Sequence, residues 1–222
     1  MWCVAELDED YIRRMEDVLA IYEKPLMERE PVIFVDEKPV VLHREVRPPL
    51  AMRPGKLLRR DSEYAREGTA NVFCGVQPKV GRYLLKVTPN RSSPEFADYL
   101  LDIAVRYPEA DTIHLILDNL SSHTRKAVVE RFGEHDGGWL WDRFTVHYTP
   151  AHGSWLNQAG IAIGLFSRQC LGRRRIGDQA ALRRHTRAWT RRMNQHHVPI
   201  QWGFTRKKAR HTFGYTITRS QH

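Results

Sequence analysis

Two short, apolar segments each run straight into a carboxylate, and this pair constrains the fold more than anything else in the chain. The first is Pro31-Val-Ile-Phe-Val-Asp36-Glu37 and the second is Thr112-Ile-His-Leu-Ile-Leu-Asp118-Asn119. Runs of this length, without polar alternation, read as strands buried on both faces of a sheet. An Asp at the end of such a strand stands at the sheet edge, where ligands gather. Two such carboxylates side by side suit a hard divalent cation, which takes oxygen ligands. A third acid from the following segment is not available, because no Asp or Glu occurs from Arg143 through Gly177.

The rest of the chain supplies a hairpin, crossovers and helices. Asp10 to Tyr22 reads as a helix with Ile12, Met15, Val18, Leu19 and Tyr22 on one face, ended by Pro25. Val32–Val35 is the first strand. The Pro-, Arg- and Gly-rich stretch 44–60 reads as a loop or irregular hairpin. Ala70–Val76 and Tyr83–Thr88 form an antiparallel pair around a turn at Pro78 to Gly81. Ser93 caps a helix to about Tyr107, and Ile113–Leu117 is a strand parallel to the first. A helix from Thr124 to Phe132, a strand Phe144–Tyr148, a helix from about Ser154 to Leu171 and another from Asp178 to Asn194 follow. Of the six tryptophans, Trp155, Trp189 and Trp202 read as core aromatics, and His147 and His152 read as satisfied loop histidines rather than zinc ligands.

Composition narrows the function. The apolar content of 41% and charged content of 27% are those of a water-soluble globular protein, and no apolar run approaches membrane-spanning length. The start has no signal-peptide pattern, and Cys3, Cys74 and Cys170 are odd in number and far apart, so a reducing cytoplasm is expected. The net charge of +9 is uneven: Gly160 to His222 holds fourteen Lys or Arg and one acid, Asp178. A basic face of this kind attracts phosphate backbones through counterion release. On the helix from Asp178, Leu182, His185, Trp189 and Met193 share one face, leaving Arg183, Arg184, Arg187 and Arg191 for DNA; the run Arg173, Arg174 and Arg175 is a second candidate.

The ordered set of Val35-Asp36-Glu37-Lys38-Pro39, Tyr64-Ala-Arg-Glu-Gly-Thr-Ala, Leu117-Asp118-Asn119 with His123, Tyr148-Thr-Pro, His152-Gly-Ser-Trp-Leu-Asn157, and Asn194 with Trp202 resembles the DDE transposases of bacterial insertion sequences in the mariner-like superfamily. The resemblance implies an α/β, ribonuclease-H-like fold, with a mixed five-stranded sheet flanked by helices and a basic helical C-terminal extension. The expected organisation is a lead-in helix over 1–30, the catalytic domain over 31–172 and the extension over 173–222. The implied cofactor is Mg²⁺ or Mn²⁺, with Asp36 bridging two ions and Asp118 holding one of them. The implied partners are DNA and a second copy of the chain or a full-length transposase, with no membrane. Family members usually carry helix-turn-helix segments upstream, so these are expected to be missing or separately encoded.

By this resemblance the third acid should stand three residues after Asn157, at Gly160. Among possible substitutes, Glu37 follows Asp36 directly, and alternation along a strand points it to the other face. Asp111 sits at the wrong end of its strand, and Asp178 is too far along the chain. The expectation is therefore a DNA-binding transposase-family protein whose triad reads Asp36, Asp118, Gly160 and whose catalysis is doubtful. The alternatives are an active metal-dependent nuclease or transposase with a substitute third ligand, and a non-catalytic DNA-binding or transposase-interacting regulator.

Overall fold

Burial of the two apolar runs on both faces places them side by side at the heart of a sheet. The computed structural model describes residues 7–46 and 63–216. Strand β1 (Val32–Glu45) pairs antiparallel with β2 (Tyr64–Gln77), which pairs antiparallel with β3 (Arg82–Thr88). On its other side β1 pairs parallel with β4 (Ile113–Leu117), and β4 pairs parallel with β5 (Phe144–Tyr148). The result is a mixed five-stranded sheet of order β3-β2-β1-β4-β5.

Strand alternation sends the side chains of β1 into two cores. Phe34 goes to one face, where it joins Met15, Leu19, Val72, Phe166 and Trp189. Ile33 and Val35 go to the other, with Phe73, Phe96, Leu100, Leu115 and Leu140. The first core is covered by α1 (Glu9–Glu23), α5 (Ala159–Phe166), α6 (Gln179–His196) and α7 (Arg206–Phe213). The second is covered by α2 (Ser93–Arg106), α3 (Arg125–Phe132) and α4 (Glu134–Asp142). Side-chain caps from Asp8, Thr124, Asp178 and Thr205 open four of these helices.

Several elements differ from the sequence expectation for physical reasons. β1 continues ten residues past Val35, because Val40 and Leu42 are buried while Val41 between them is exposed. Part of the stretch read as a loop is thus strand to Glu45, and residues 47–62 lie outside those described. Ser92, not Ser93, precedes α2. α4 was not among the expected elements, and its Gly137 and Gly138 weaken a helix. Packing decides otherwise: a Cβ on Gly137 would lie 2.7 Å from Val129 Cα, so the glycine is what lets α4 lie against α3. The helix expected from Ser154 is divided into a 3₁₀ turn (Ser154–Leu156), α5 and a π turn (Ser167–Leu171). α7 was also unforeseen; its Arg210 donates two hydrogen bonds to Glu16 of α1, at 2.8 and 2.7 Å, and Tyr215 donates a third at 2.8 Å. Trp155, Trp189 and Trp202 are core or partly buried aromatics as read, with Trp202 stacked on Tyr22 at 4.5 Å.

Gly75 on β2 tests how closely the second core is packed. A Cβ there would lie 2.4 Å from the Tyr99 hydroxyl, which donates to the Leu84 carbonyl at 2.6 Å. Gly75→Ala is expected to destabilise the protein by about 1–3 kcal/mol in urea denaturation. Adding Tyr99→Phe should recover part of that loss, because it removes the atom in the way.

Candidate metal centre

β1 outruns β4, and that overhang builds the site. The last β1–β4 pair is Phe34 with Ile116. Asp36 then lies opposite Cys74 of β2, with no β4 residue beside it, while Asp118 follows Leu117 at the very end of β4. The parallel register of Phe34 with Ile116, continued by two residues, brings the two carboxylates side by side at the edge where β4 stops. Asp36 Oδ1 accepts from the Glu37 N–H at 2.7 Å. The carboxylates of Asp36, Glu37 and Asp118 offer oxygens that all lie within 4.8 Å of one another.

This overturns the expectation of an incomplete triad. Three carboxylates converge, and the third is Glu37, the residue that alternation alone places on the opposite face. Alternation does put Glu37 on the face of Ile33 and Val35, but the three side chains are long enough to bring their oxygens together at the edge where β4 stops. Beyond the end of β4 the edge is open, and Glu37 turns there to His123, whose Nε2 lies 2.6 Å from Glu37 Oε1. His123 Nδ1 makes a 2.7 Å ion-pair contact with Asp118 Oδ1, off the ideal hydrogen-bond direction. The imidazole thus stands between two of the three acids.

Gly160, expected to mark a missing acid, is exposed near the start of α5, and a Cβ there would touch nothing within 4 Å. It leaves no gap in the acidic cluster. Asn157 is committed elsewhere: its Nδ2 donates to the Val35 carbonyl at 2.8 Å and its Oδ1 accepts from Ala159 N at 3.0 Å. Asn119 ties the ends of β4 and β5 together by donating to the Thr149 carbonyl at 2.6 Å, while accepting from Arg14 at 2.7 Å. Sequence reasoning set Glu37 aside and gave His123 no role. The signals were there, in an acid adjacent to Asp36 and a histidine five residues after Asp118, but joining them needs the three-dimensional overhang.

The crowding of charge shows in the titration of these groups. Burial raises the Asp36 carboxyl to about 6, opposed by the Glu37 N–H and reinforced by the charges of Glu37 and Asp118. Burial also pushes Asp118 upward, but the hydrogen bond and charge of His123 outweigh it and hold Asp118 below the usual value. For His123 burial favours the neutral ring, yet its contacts with Asp118 and Glu37 prevail and raise it to about 9. Both ring nitrogens face carboxylate oxygens, so both carry hydrogen. The stability this imidazolium adds is fully present below pH ~6.5 and is lost as pH rises through about 9. The donor set, all carboxylate oxygen, fits a hard divalent ion such as Mg²⁺ or Mn²⁺.

The arginine candidates separate into two groups. Arg183, Arg184, Arg187 and Arg191 are exposed on α6, whose buried face is Leu182, Thr186 and Trp189; His185 is exposed instead of packed. Arg173 and Arg174 are exposed, but Arg175 is half-buried and donates to Glu45 at 2.5 Å. His147 lies between Asp17, at 2.8 Å, and His114, at 3.0 Å, and so has partners without a metal. No helix among the described residues is long and apolar enough to cross a membrane.

A mixed sheet of this order with helices on both faces, and acids on its two adjacent parallel strands, defines a ribonuclease-H-like fold. Residues 31–183 match the DDE superfamily endonucleases, and the chain belongs to that family. No curated protein matches the sequence. Among solved structures, the chain is similar to a pre-cleavage Mos1 transpososome at 17% identity and a TM-score of 0.58, covering 98% of this chain and 67% of that one. It is similar to the Mos1 mariner paired-end complex with Mn at 16% identity and a TM-score of 0.55, covering 89% and 61%. The Mos1 paired-end complex with left transposon end gives 15% identity and a TM-score of 0.55, covering 90% and 62%. At these identities the likeness establishes the fold, and the chain spans about three-fifths of the length of the paired-end relatives.

Position 160 provides a direct check on the corrected site. Gly160→Ala should raise the melting temperature by about 2–4 °C, as relief of a helical glycine worth up to about 1 kcal/mol. Mn²⁺ affinity measured by titration calorimetry should stay unchanged, because the position supplies no ligand.

Proposed function

We propose that this chain is the catalytic part of an active, divalent-metal-dependent DNA endonuclease and transposase, with Glu37 as the third acidic ligand beside Asp36 and Asp118. The convergence of three carboxylates at one sheet edge carries this reading. Mg²⁺ or Mn²⁺ is the ion the oxygen donors suit. Held there, it supplies Lewis acidity that stabilises charge developing on phosphodiester oxygens. The chain's own part is to present ionised carboxylates at the edge and to hold DNA against it. The related Mos1 structures are paired-end and transposon-end complexes, and we carry over to this chain DNA ends as substrate and a second copy of the chain as partner.

The test is nicking of supercoiled plasmid with Mg²⁺ or Mn²⁺. Asp36→Asn, Glu37→Gln and Asp118→Asn should each lower the rate by more than the about 10–100-fold that loss of a ligand's supporting partner costs. Activity of the parent should fall below pH ~6, where Asp36 takes a proton that competes with the cation. A parent chain that fails to nick, or nicks equally well with Glu37→Gln, removes the proposal.

DNA attraction by the exposed face of α6 is part of the same proposal. Each phosphate neutralised lowers log affinity by about 0.9 per log unit of salt. Replacing Arg183, Arg184, Arg187 and Arg191 with Gln should flatten the salt slope in gel-shift titrations by up to about three to four units, with the circular dichroism spectrum unchanged. An unaltered slope would move the DNA-binding face away from α6.

A further inference from the structure

We propose that His123 is a positioning residue of this centre: it clamps Glu37, on the face of β1 that bears Ile33 and Val35, to Asp118 at the end of β4 and fixes the orientation of both carboxylates. The inference rests on the metal-dependent reading above and names the residue that makes the third ligand available.

The argument begins with the backbone. Consecutive residues of a strand point to opposite faces, so nothing in β1 itself brings Glu37 to Asp36. Something off the strand must hold the Glu37 side chain, which is almost fully buried at 3% exposure. A buried carboxylate without a donor or counter-charge is costly and would swing toward water. Among the described residues, the side-chain partner of Glu37 is His123, at 2.6 Å. The opposite ring nitrogen reaches Asp118 at 2.7 Å, so one planar ring sets the separation of two acids.

The ring is itself immobilised. His123 is fully buried, and its backbone N–H donates to the Leu120 carbonyl at 2.9 Å. Its carbonyl accepts from the Tyr148 hydroxyl at 2.7 Å. Its ring lies against Phe96, centroids 4.4 Å apart and tilted by 30°. Thr124, the next residue, caps α3 and fixes the chain direction just after it. A side chain so constrained is suited to orienting ligands, because the ordering is already supplied by the fold. Each carboxylate also keeps a second oxygen that His123 does not take, and Asp36 is left untouched by the ring.

A purely structural histidine and a positioning one give different results. The full chain is compared with His123→Ala, His123→Gln and, as a control of packing alone, Val128→Ala, which truncates a fully buried residue of α3 in the same core. The first readout is the Glu37 side-chain carboxyl ¹³C shift in the ion-free protein. It should move in His123→Ala, return toward the parent value in His123→Gln, whose amide can still donate, and stay put in Val128→Ala. The second is Mn²⁺ affinity, which should fall about 10–100-fold in His123→Ala and remain at the parent value in Val128→Ala despite a lower melting temperature. An unchanged Glu37 shift in folded His123→Ala overturns the inference, as does parental Mn²⁺ affinity in that variant. If the parent itself binds no Mn²⁺ the metal reading fails, while the carbon shift still decides whether His123 places Glu37.

Discussion

The parallel pairing of Val32–Phe34 with His114–Ile116 is the contact on which the molecule depends. It buries two apolar runs against each other and brings Asp36 of β1 beside the end of β4, while β1 itself is divided between two cores. The mismatch in length between β1 and β4 then does the rest. β4 ends at Leu117, while β1 runs on beside β2 alone. Because β4 stops, the edge is open to a third carboxylate and to the loop that bears His123. The functional edge is therefore a consequence of where a strand ends as much as of which residues it contains.

Three carboxylates in a half-buried cleft repel one another, and the ion-free structure answers this in two ways. Asp36 takes its proton back at about pH 6, well above an ordinary aspartate. His123 retains its extra proton to about pH 9 and so places one positive charge among three acids. A positive charge held among acids offsets part of their mutual repulsion. Burial has opposite consequences for the two groups because it always disfavours charge; only His123 has partners close enough to overcome it.

The architecture was largely legible from the sequence, and the site only partly. Apolar runs ending in Asp located β1 and β4, and helical spacing located α1, α2 and α6, because each of these signals is local. Asp36 and Asp118 followed from the strand ends. The third acid did not, because reading Glu37 requires knowing that β4 stops two residues short of it, and no pattern within β1 reports that. Gly160 suggested a loss where the structure has a complete acidic cluster, and α4, which tight packing of Gly137 on α3 makes possible, was not foreseen.

Charge shows the same limit of local reading. The last quarter of the chain is dense in arginine and lysine, and composition treats all of them as one basic surface. The structure assigns some to internal attachment. Arg210 and Arg206 of α7 grip Glu16 and Glu23 of α1, residues some 180–195 positions away in sequence, and Arg175 grips Glu45 at the end of β1. The acidic excess of the first 159 residues is thus partly the counterpart of the basic tail within one molecule. Arg183, Arg184, Arg187 and Arg191 differ: they project from α6 opposite Leu182 and Trp189 and, among the described residues, make no ion pair. A helix anchored by an apolar face and left with an uncompensated row of guanidinium groups holds a fixed positive field toward solvent, the arrangement that a phosphate backbone meets at the least cost in side-chain ordering.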